Sequence, residues 1–240
     1  MMNSDMDNSG QAAVNVLKVI CSMATSRLLQ ALILDYTKLT GTQVRLESTG
    51  GVTAVQRVTA GEKFDIVILA LPAITRLATS VQFSPPVNIA LSKMALAVHE
   101  DHPTPDISNE EALRTVLLGA KSIGCSTGPS GDHLKQIFTR WGQETQLGQK
   151  LVVAPPGISV GSLIASGKVD IGFQQLSELL PLLGIKILEN LPPEVQLTTC
   201  FSGAIPEYSE DATAAKALLQ FLVSPEADDI KIQHGMTPSE

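Results

Sequence analysis

The chain has 240 residues, 44% of them hydrophobic, and a formal net charge of −7 at pH 7, which suits two compact lobes with sizeable cores and excludes general disorder. Seventeen Lys and Arg against twenty-four Asp and Glu give no basic surface for nucleic acid. The longest apolar runs, such as Ile66 to Ala73, fall far short of the roughly 20 residues that span a bilayer, so neither nucleic acid nor membrane is expected as a partner.

Residues 1–14, acidic and polar, read as a mobile leader. A secretory signal needs a basic start and an apolar stretch of about 7–15 residues, so the reading is cytoplasmic, with periplasmic as the alternative if the native amino terminus is missing. Val16 to Cys21, short and β-branched, reads as a buried first strand broken by Ser22 to Ser26. Leu28, Leu29, Leu32, Ile33 and Tyr36 then recur at helical spacing up to Gly41, a fitting C-terminal cap. A second strand over Gln43 to Glu47, the turn Ser48-Thr49-Gly50-Gly51, a helix from Val52 to Ala60 and a third strand at Asp65 to Leu69 complete a β-α-β-α-β opening.

Pro85 and Pro86 mark a break before Val87 to His99, long enough for a strand that crosses between lobes. Ser108 with Glu111 forms a capping-box signature for a helix to Ala120. The βα pattern then restarts: a strand at Ser122 to Cys125, the loop Ser126 to Gly131, a helix from Asp132 to about Trp141, a strand near Leu151 to Ala154, a helix from Ser159 to Ser166, and a strand into Gln174 and Gln175. That last strand ends on two uncharged amides and runs at once into a helix start, which delivers polar side chains to the carboxyl end of a strand, where open α/β sheets bind ligands. An extended run, Val195 to Ile205, returns the chain to the first lobe, and Ala212 to Val223 forms a closing helix. The expected fold class is α/β, with two lobes, each a mixed sheet flanked by helices: residues 15–88 and 200–240 in one, 89–199 in the other.

None of the glycine-rich turns has the spacing of a nucleotide-binding loop. Their hydroxyls and free N–H groups at successive helix starts make instead an anion cradle. The candidate ligand contacts are Ser22, Thr25, Ser26, Ser48, Thr49, Gly50 and Gly51 on one side and Ser126, Ser130, Gly131 and Gln175 on the other. Arg27 and Lys93 are the cations nearest these turns in sequence, and Arg27 is a further candidate contact, for a ligand carboxylate. Cys21, Cys125 and Cys200 have neither metal-ligand spacing nor an even disulfide count, and they read as reduced thiols. The four histidines also lack metal-ligand spacing, so neither metal nor organic cofactor is expected, and the protein is expected to be a monomer or weak oligomer.

Phe64-Asp65-Ile66-Val67-Ile68, Gly128-Pro129-Ser130-Gly131 with its following helix, and Val160-Gly161-Ser162-Leu163 resemble the third strand, the second-lobe anion loop and a ligand-contacting helix start of the molybdate-type solute-binding proteins, which have the type II periplasmic-binding-protein fold. The resemblance covers the chain from about Leu17 onward and adds Val160 to the expected contacts. Ala24 stands where those proteins carry a first-strand serine, and Gln175 where they carry a tyrosine. Ala120 to Ile123, Ile171 to Pro181 with Gly184-Ile185, and Leu191 to Gln196 are similar to a branch of the family that includes bacterial aconitate isomerase.

An aconitate-type 1,3-proton shift needs carboxylate clamps, an acid or base near the labile carbon, and stabilisation of the developing enolate-like charge. His133, two residues past Gly131, Glu47 beside the second turn, and Lys93 are the candidate proton-transfer groups, in that order. Three functions remain open: a cytoplasmic isomerase of aconitate type, a non-catalytic solute-binding protein for a carboxylate or an oxyanion such as molybdate, and a ligand sensor resembling the effector lobe of LysR-type regulators, though with no helix-turn-helix before it.

Overall fold

The computed structural model of the protein describes residues 16–239; the leader expected at residues 1–14 lies outside them. In chain order the elements are β1 (Leu17–Ser22), α1 (Met23–Thr40), β2 (Val44–Thr49), α2 (Gly51–Thr59), β3 (Ile66–Ala70), α3 (Leu71–Leu77) and β4 (Val87–His99). There follow α4 (Glu110–Gly119), β5 (Ile123–Cys125), α5 (Pro129–Arg140), α6 (Glu144–Gly148), β6 (Leu151–Val153), α7 (Val160–Ala165), β7 (Ile171–Gln175) and α8 (Leu176–Leu179). The chain closes with β8 (Ile185–Leu188), β9 (Thr198–Ala204), α9 (Ala212–Leu222), α10 (Asp228–Gln233) and β10 (Met236–Pro238).

β1 and β3 are buried almost throughout, as parallel strands covered by helices on both faces must be. β1 lies between β2 and β3, parallel to both, and β9 runs antiparallel between β3 and β4. β4 changes partners at its middle. Val87 to Lys93 pair with β9, whereas Met94 to Val98 pair with β7 and Leu96 to His99 with β8. On the far side of β7, β5 and then β6 continue the sheet in parallel. One strand thus serves two mixed sheets, each sheathed by helices.

Four apolar clusters hold these layers. One packs α1 and α9 on the first sheet through Leu28, Leu32, Leu218 and Leu222, and another packs α2 and α3 on its opposite face through Ala54, Val58, Ile74 and Leu77. In the second lobe Leu113, Leu117, Leu134 and Phe138 cover one face, while Val160, Ile164 and Leu179 cover the other. The buried members of the first two clusters come from residues 17–90 and 201–236, and those of the last two from 94–195. Each large side chain so buried contributes about 1.5–3 kcal/mol. Gly124 and Gly172, adjacent across β5 and β7, lie directly beneath Val160, where any Cβ would run into its methyl group. The two bare positions let α7 sit close on the sheet.

Several local details differ from the sequence reading. The cap of α4 is Asn109, not Ser108: Asn109 Oδ1 accepts from the Ala112 N–H at 2.9 Å, and Glu111 is drawn to Arg114 instead of the helix start. The shorter reach of an Asx side chain one residue later wins the competition for the same N–H groups. α1 begins at Met23, so Thr25, Ser26 and Arg27 occupy its first turns and not a loop. Ser48 and Thr49 close β2. β8 and β10, each only three or four residues long, exist because they pair with β4.

Candidate functional site

The carboxyl ends of β1, β2 and β3 and of β5 and β7 carry the turns that lead into helices. Ser22 and Thr49 are register partners, so the β1–α1 and β2–α2 turns lie side by side. α1, α2 and α5 start from Ser22, Gly50 and Gly128 with no side-chain cap. By contrast α4 and α9, which do not follow a sheet strand directly, are capped by Asn109 and Asp211. Among the described residues the first-turn N–H groups at these strand ends therefore have no side-chain acceptors, Pro129 of α5 having no N–H to offer, and this is the condition under which helix N-termini take an anion.

α7 is handled differently. Ser159 Oγ accepts from the Ser162 N–H, and the Gly161 N–H donates to Gln174 Oε1 at 3.2 Å. Val160 is thereby the first-turn residue whose N–H has no side-chain acceptor among the described residues.

The predicted contacts fall into groups. Thr25 Oγ1 donates to the Ser22 carbonyl at 3.1 Å, and Gln30 Nε2 reaches Ser26 Oγ at 3.4 Å. Thr25 and Ser48 both meet the Cys21 thiol, which links the first two turns; burial pushes that thiol up to about 11, so it stays protonated and inert. Gly50 and Gly51 form the start of α2. Across the molecule Ser126 Oγ and Ser130 Oγ are 2.8 Å apart, and the Gly128 N–H donates to Ser126 Oγ at 3.2 Å. Gly131 faces the Ser126 carbonyl so closely that no Cβ fits. Gln175 Nε2 donates to Thr199 Oγ1 at 3.0 Å, across to β9.

The charged candidates are placed less uniformly. Arg27 and Lys93 are exposed, with no ion pair among the described residues. Lys93 sits opposite Thr198, where β4 changes partners. Glu47 is held by Arg57 at 2.7 Å and Arg45 at 3.2 Å, and Arg57 is also bound by Glu62. The His133 ring bonds the Val195 carbonyl through Nε2 at 2.9 Å. Both are therefore engaged away from a free strand-end position.

Sequence reasoning missed Glu178. Its half-buried side chain accepts from Gln174 Nε2 at 2.8 Å, and loss of hydration pushes the carboxyl up to about 7 despite that hydrogen bond. Gln174 thus joins Glu178 to the first turn of α7. The adjacent Ser177 Oγ donates to the Ala24 carbonyl at 2.9 Å, a direct bond from α8 to the first turn of α1. The paired amides before α8 were the available signal; nothing in the local pattern marks Glu178 as half-buried. A separate cavity of about 280 Å³, lined by Lys18, Lys63, Asp65 and Tyr208, opens at the amino ends of β1 and β3, away from these turns. Among the described residues no cluster of His, Cys, Asp and Glu has the geometry to hold a metal ion.

Two mixed sheets sharing β4, with helix starts gathered at strand carboxyl ends, define a two-lobe protein of the type II periplasmic-binding kind. A sequence profile of bacterial extracellular solute-binding proteins matches residues 17–237, and the chain belongs to that family. It is 31% identical over 233 residues to an aconitate isomerase from Pseudomonas sp., an alignment that covers 94% of this chain and 88% of the relative. Its fold matches the periplasmic molybdate-binding protein of Azotobacter vinelandii with a TM-score of 0.77 at 20% identity, over 93% of this chain and 100% of that one. The sulfate-binding protein SubI of Mycobacterium tuberculosis H37Rv matches with a TM-score of 0.75 at 15% identity, over 94% of this chain and 88% of that one.

Proposed function

We propose that the protein binds a small polycarboxylate between its lobes and interconverts cis- and trans-aconitate. The observation that carries this reading is the 31% identity to an aconitate isomerase along 94% of the chain. The physical support is the set of uncapped helix starts and hydroxyls at strand ends, which supply neutral donors to carboxylates without a net positive charge.

In this reading a base removes a proton from the methylene carbon of one isomer. The electron pair is delocalised through the adjacent double bond and carboxylate, and the proton returns at the other end of the allylic system. The double bond shifts, one carbon loses the proton that the other gains, and the molecule as a whole is neither oxidised nor reduced. Glu178 is assigned the proton transfer in preference to His133 and Glu47 because Gln174 joins it to the first turn of α7 and the adjacent Ser177 bonds the first turn of α1, which sets it between helix starts of both lobes, and its carboxyl is raised to about 7, where a group can both take and return a proton. His133 is committed to the Val195 carbonyl and Glu47 to Arg57.

Proton NMR of the protein with trans-aconitate in deuterated water tests the proposal. The expected result is appearance of the cis isomer with deuterium at the exchanging carbon. Binding with neither isomer nor deuterium would overturn the catalytic reading. It would favour a non-catalytic solute-binding protein, the second reading, which the family match and the anion-binding names of the solved relatives support.

A further inference from the structure

Among the described residues four buried side-chain oxygens lack a hydrogen-bond partner, and three of them, Ser22 Oγ, Ser92 Oγ and Gln175 Oε1, lie on strands at or beside the junction of the lobes. Ser22 is 8% exposed, Gln175 3% and Ser92 0%. Ser92 is paired with Thr199, and Met94, two residues along the same face of β4, is paired with Gln175. The bond from Ser177 to Ala24 ties the turn after Ser22 to the residues just past Gln175. The orphaned Ser92 and Gln175 groups therefore belong to one polar stretch of β4, β7 and β9, whereas Ser22 ends β1 beyond β3, on the strand face that Ile20 turns to α2 and α3.

Gln175 is oriented against the needs of an anion. Its NH2 group is spent on Thr199 Oγ1, at 3.0 Å, while its oxygen is left buried without a donor. An unsatisfied buried acceptor is unfavourable in itself, and it would also repel a carboxylate. A threonine hydroxyl, however, both donates and accepts. We infer that anion binding makes the Gln175 amide turn over on Thr199. The Thr199 hydroxyl then donates to Oε1, and the released NH2 group donates to a ligand oxygen. Thr199 is accordingly a positioning residue that serves both orientations, which a valine of the same shape cannot do. The inference rests on the anion-binding part of the proposed function and not on catalysis.

The test uses the full chain, Thr199→Val and Thr199→Ser, with trans-aconitate, citrate, sulfate and molybdate as probes in calorimetric titrations. Loss of one buried hydrogen bond predicts about tenfold weaker binding for Thr199→Val, and Thr199→Ser is expected to restore it. In nitrogen-15 spectra the Gln175 side-chain NH2 signal is expected to shift on saturation in the unmodified protein and in Thr199→Ser. Its nuclear Overhauser contact to the Thr199 methyl group, present without ligand, is expected to vanish with ligand. That contact is read in the unmodified protein and decides the matter even if Thr199→Val does not fold. Unaltered affinity in folded Thr199→Val, a contact that persists at saturation, or failure of all four anions to bind at millimolar concentration would each overturn the inference. Binding without isomerisation leaves it standing and removes only the enzymatic reading.

Discussion

Gly131→Ala is expected to destabilise the protein by about 3 kcal/mol or more and to weaken anion binding by about two orders of magnitude. The atom in the way is the Ser126 carbonyl oxygen, part of the backbone, so no side-chain rotation relieves the clash. The loop must open, and the bond between Ser126 and Ser130 that folds it around the start of α5 is lost. Urea unfolding and calorimetric titration measure the two effects. A variant within 1 kcal/mol of the unmodified protein, an order-of-magnitude margin for a tolerated small-to-large change, would mean that the loop has slack the structure does not show.

Glu178→Gln is expected to move stability and turnover in opposite directions. The folded-state carboxyl is raised from 4.5 to about 7. Between these values the native protein holds a proton that the unfolded chain has released, so the Glu178 contribution makes stability fall as pH rises through that window. The loss amounts to about 3 kcal/mol in full and is complete above pH 7. A glutamine has no such titration. The stability difference between variant and unmodified protein should therefore grow from near zero below pH 4.5 to about 3 kcal/mol in favour of glutamine at neutral pH. Turnover, which the proposed mechanism routes through this carboxyl, should be abolished. Denaturant unfolding across pH checks the first outcome and the deuterium assay the second. Parallel stability profiles would show that the carboxyl is not desolvated in solution, and undiminished turnover would move the base elsewhere.

Much of the architecture could be read from the chain because it is written locally. The β-branched runs at β1 and β3, the helical spacing from Leu28 to Tyr36 and the left-handed cap at Gly41 each depend on near neighbours. The length of β4 announced a strand with more than one set of partners. What escaped depends on pairing across long separations. β10 has three residues and is a strand only because Ala90, Leu91 and Ser92 lie beside it. The choice of Asn109 over Ser108 was a contest between adjacent capping residues that composition alone does not decide.

The site followed the same division. Its hydroxyl- and glycine-rich turns were visible because they punctuate the strands. The partial burial of Glu178 and the contact between Gln175 and Thr199 arise from tertiary packing, and no spacing rule reports them. Arg57 explains why a strand-end glutamate attractive on paper is already occupied: its guanidinium lies on the next helix, ten residues from Glu47.

The sharing of β4 also bears on the order in which the molecule assembles. The buried residues of the second lobe come from one uninterrupted stretch, 94–195. The first lobe, although synthesised earlier, lacks β9, α9 and β10 until the chain is nearly finished. Domains generally fold as contiguous units, and distant pairings are slow. The second lobe, begun later but completed earlier, is therefore expected to set first, while β1, β2 and β3 wait with the flank of β3 unpaired for the arrival of β9. Pulse-labelled amide exchange during refolding would register this as protection in β5 and β7 ahead of β1 and β3, and simultaneous protection would count against it. Released chains ending before Thr198 would then carry a finished second lobe and an open first one, with a bare strand edge as the element most in need of a chaperone.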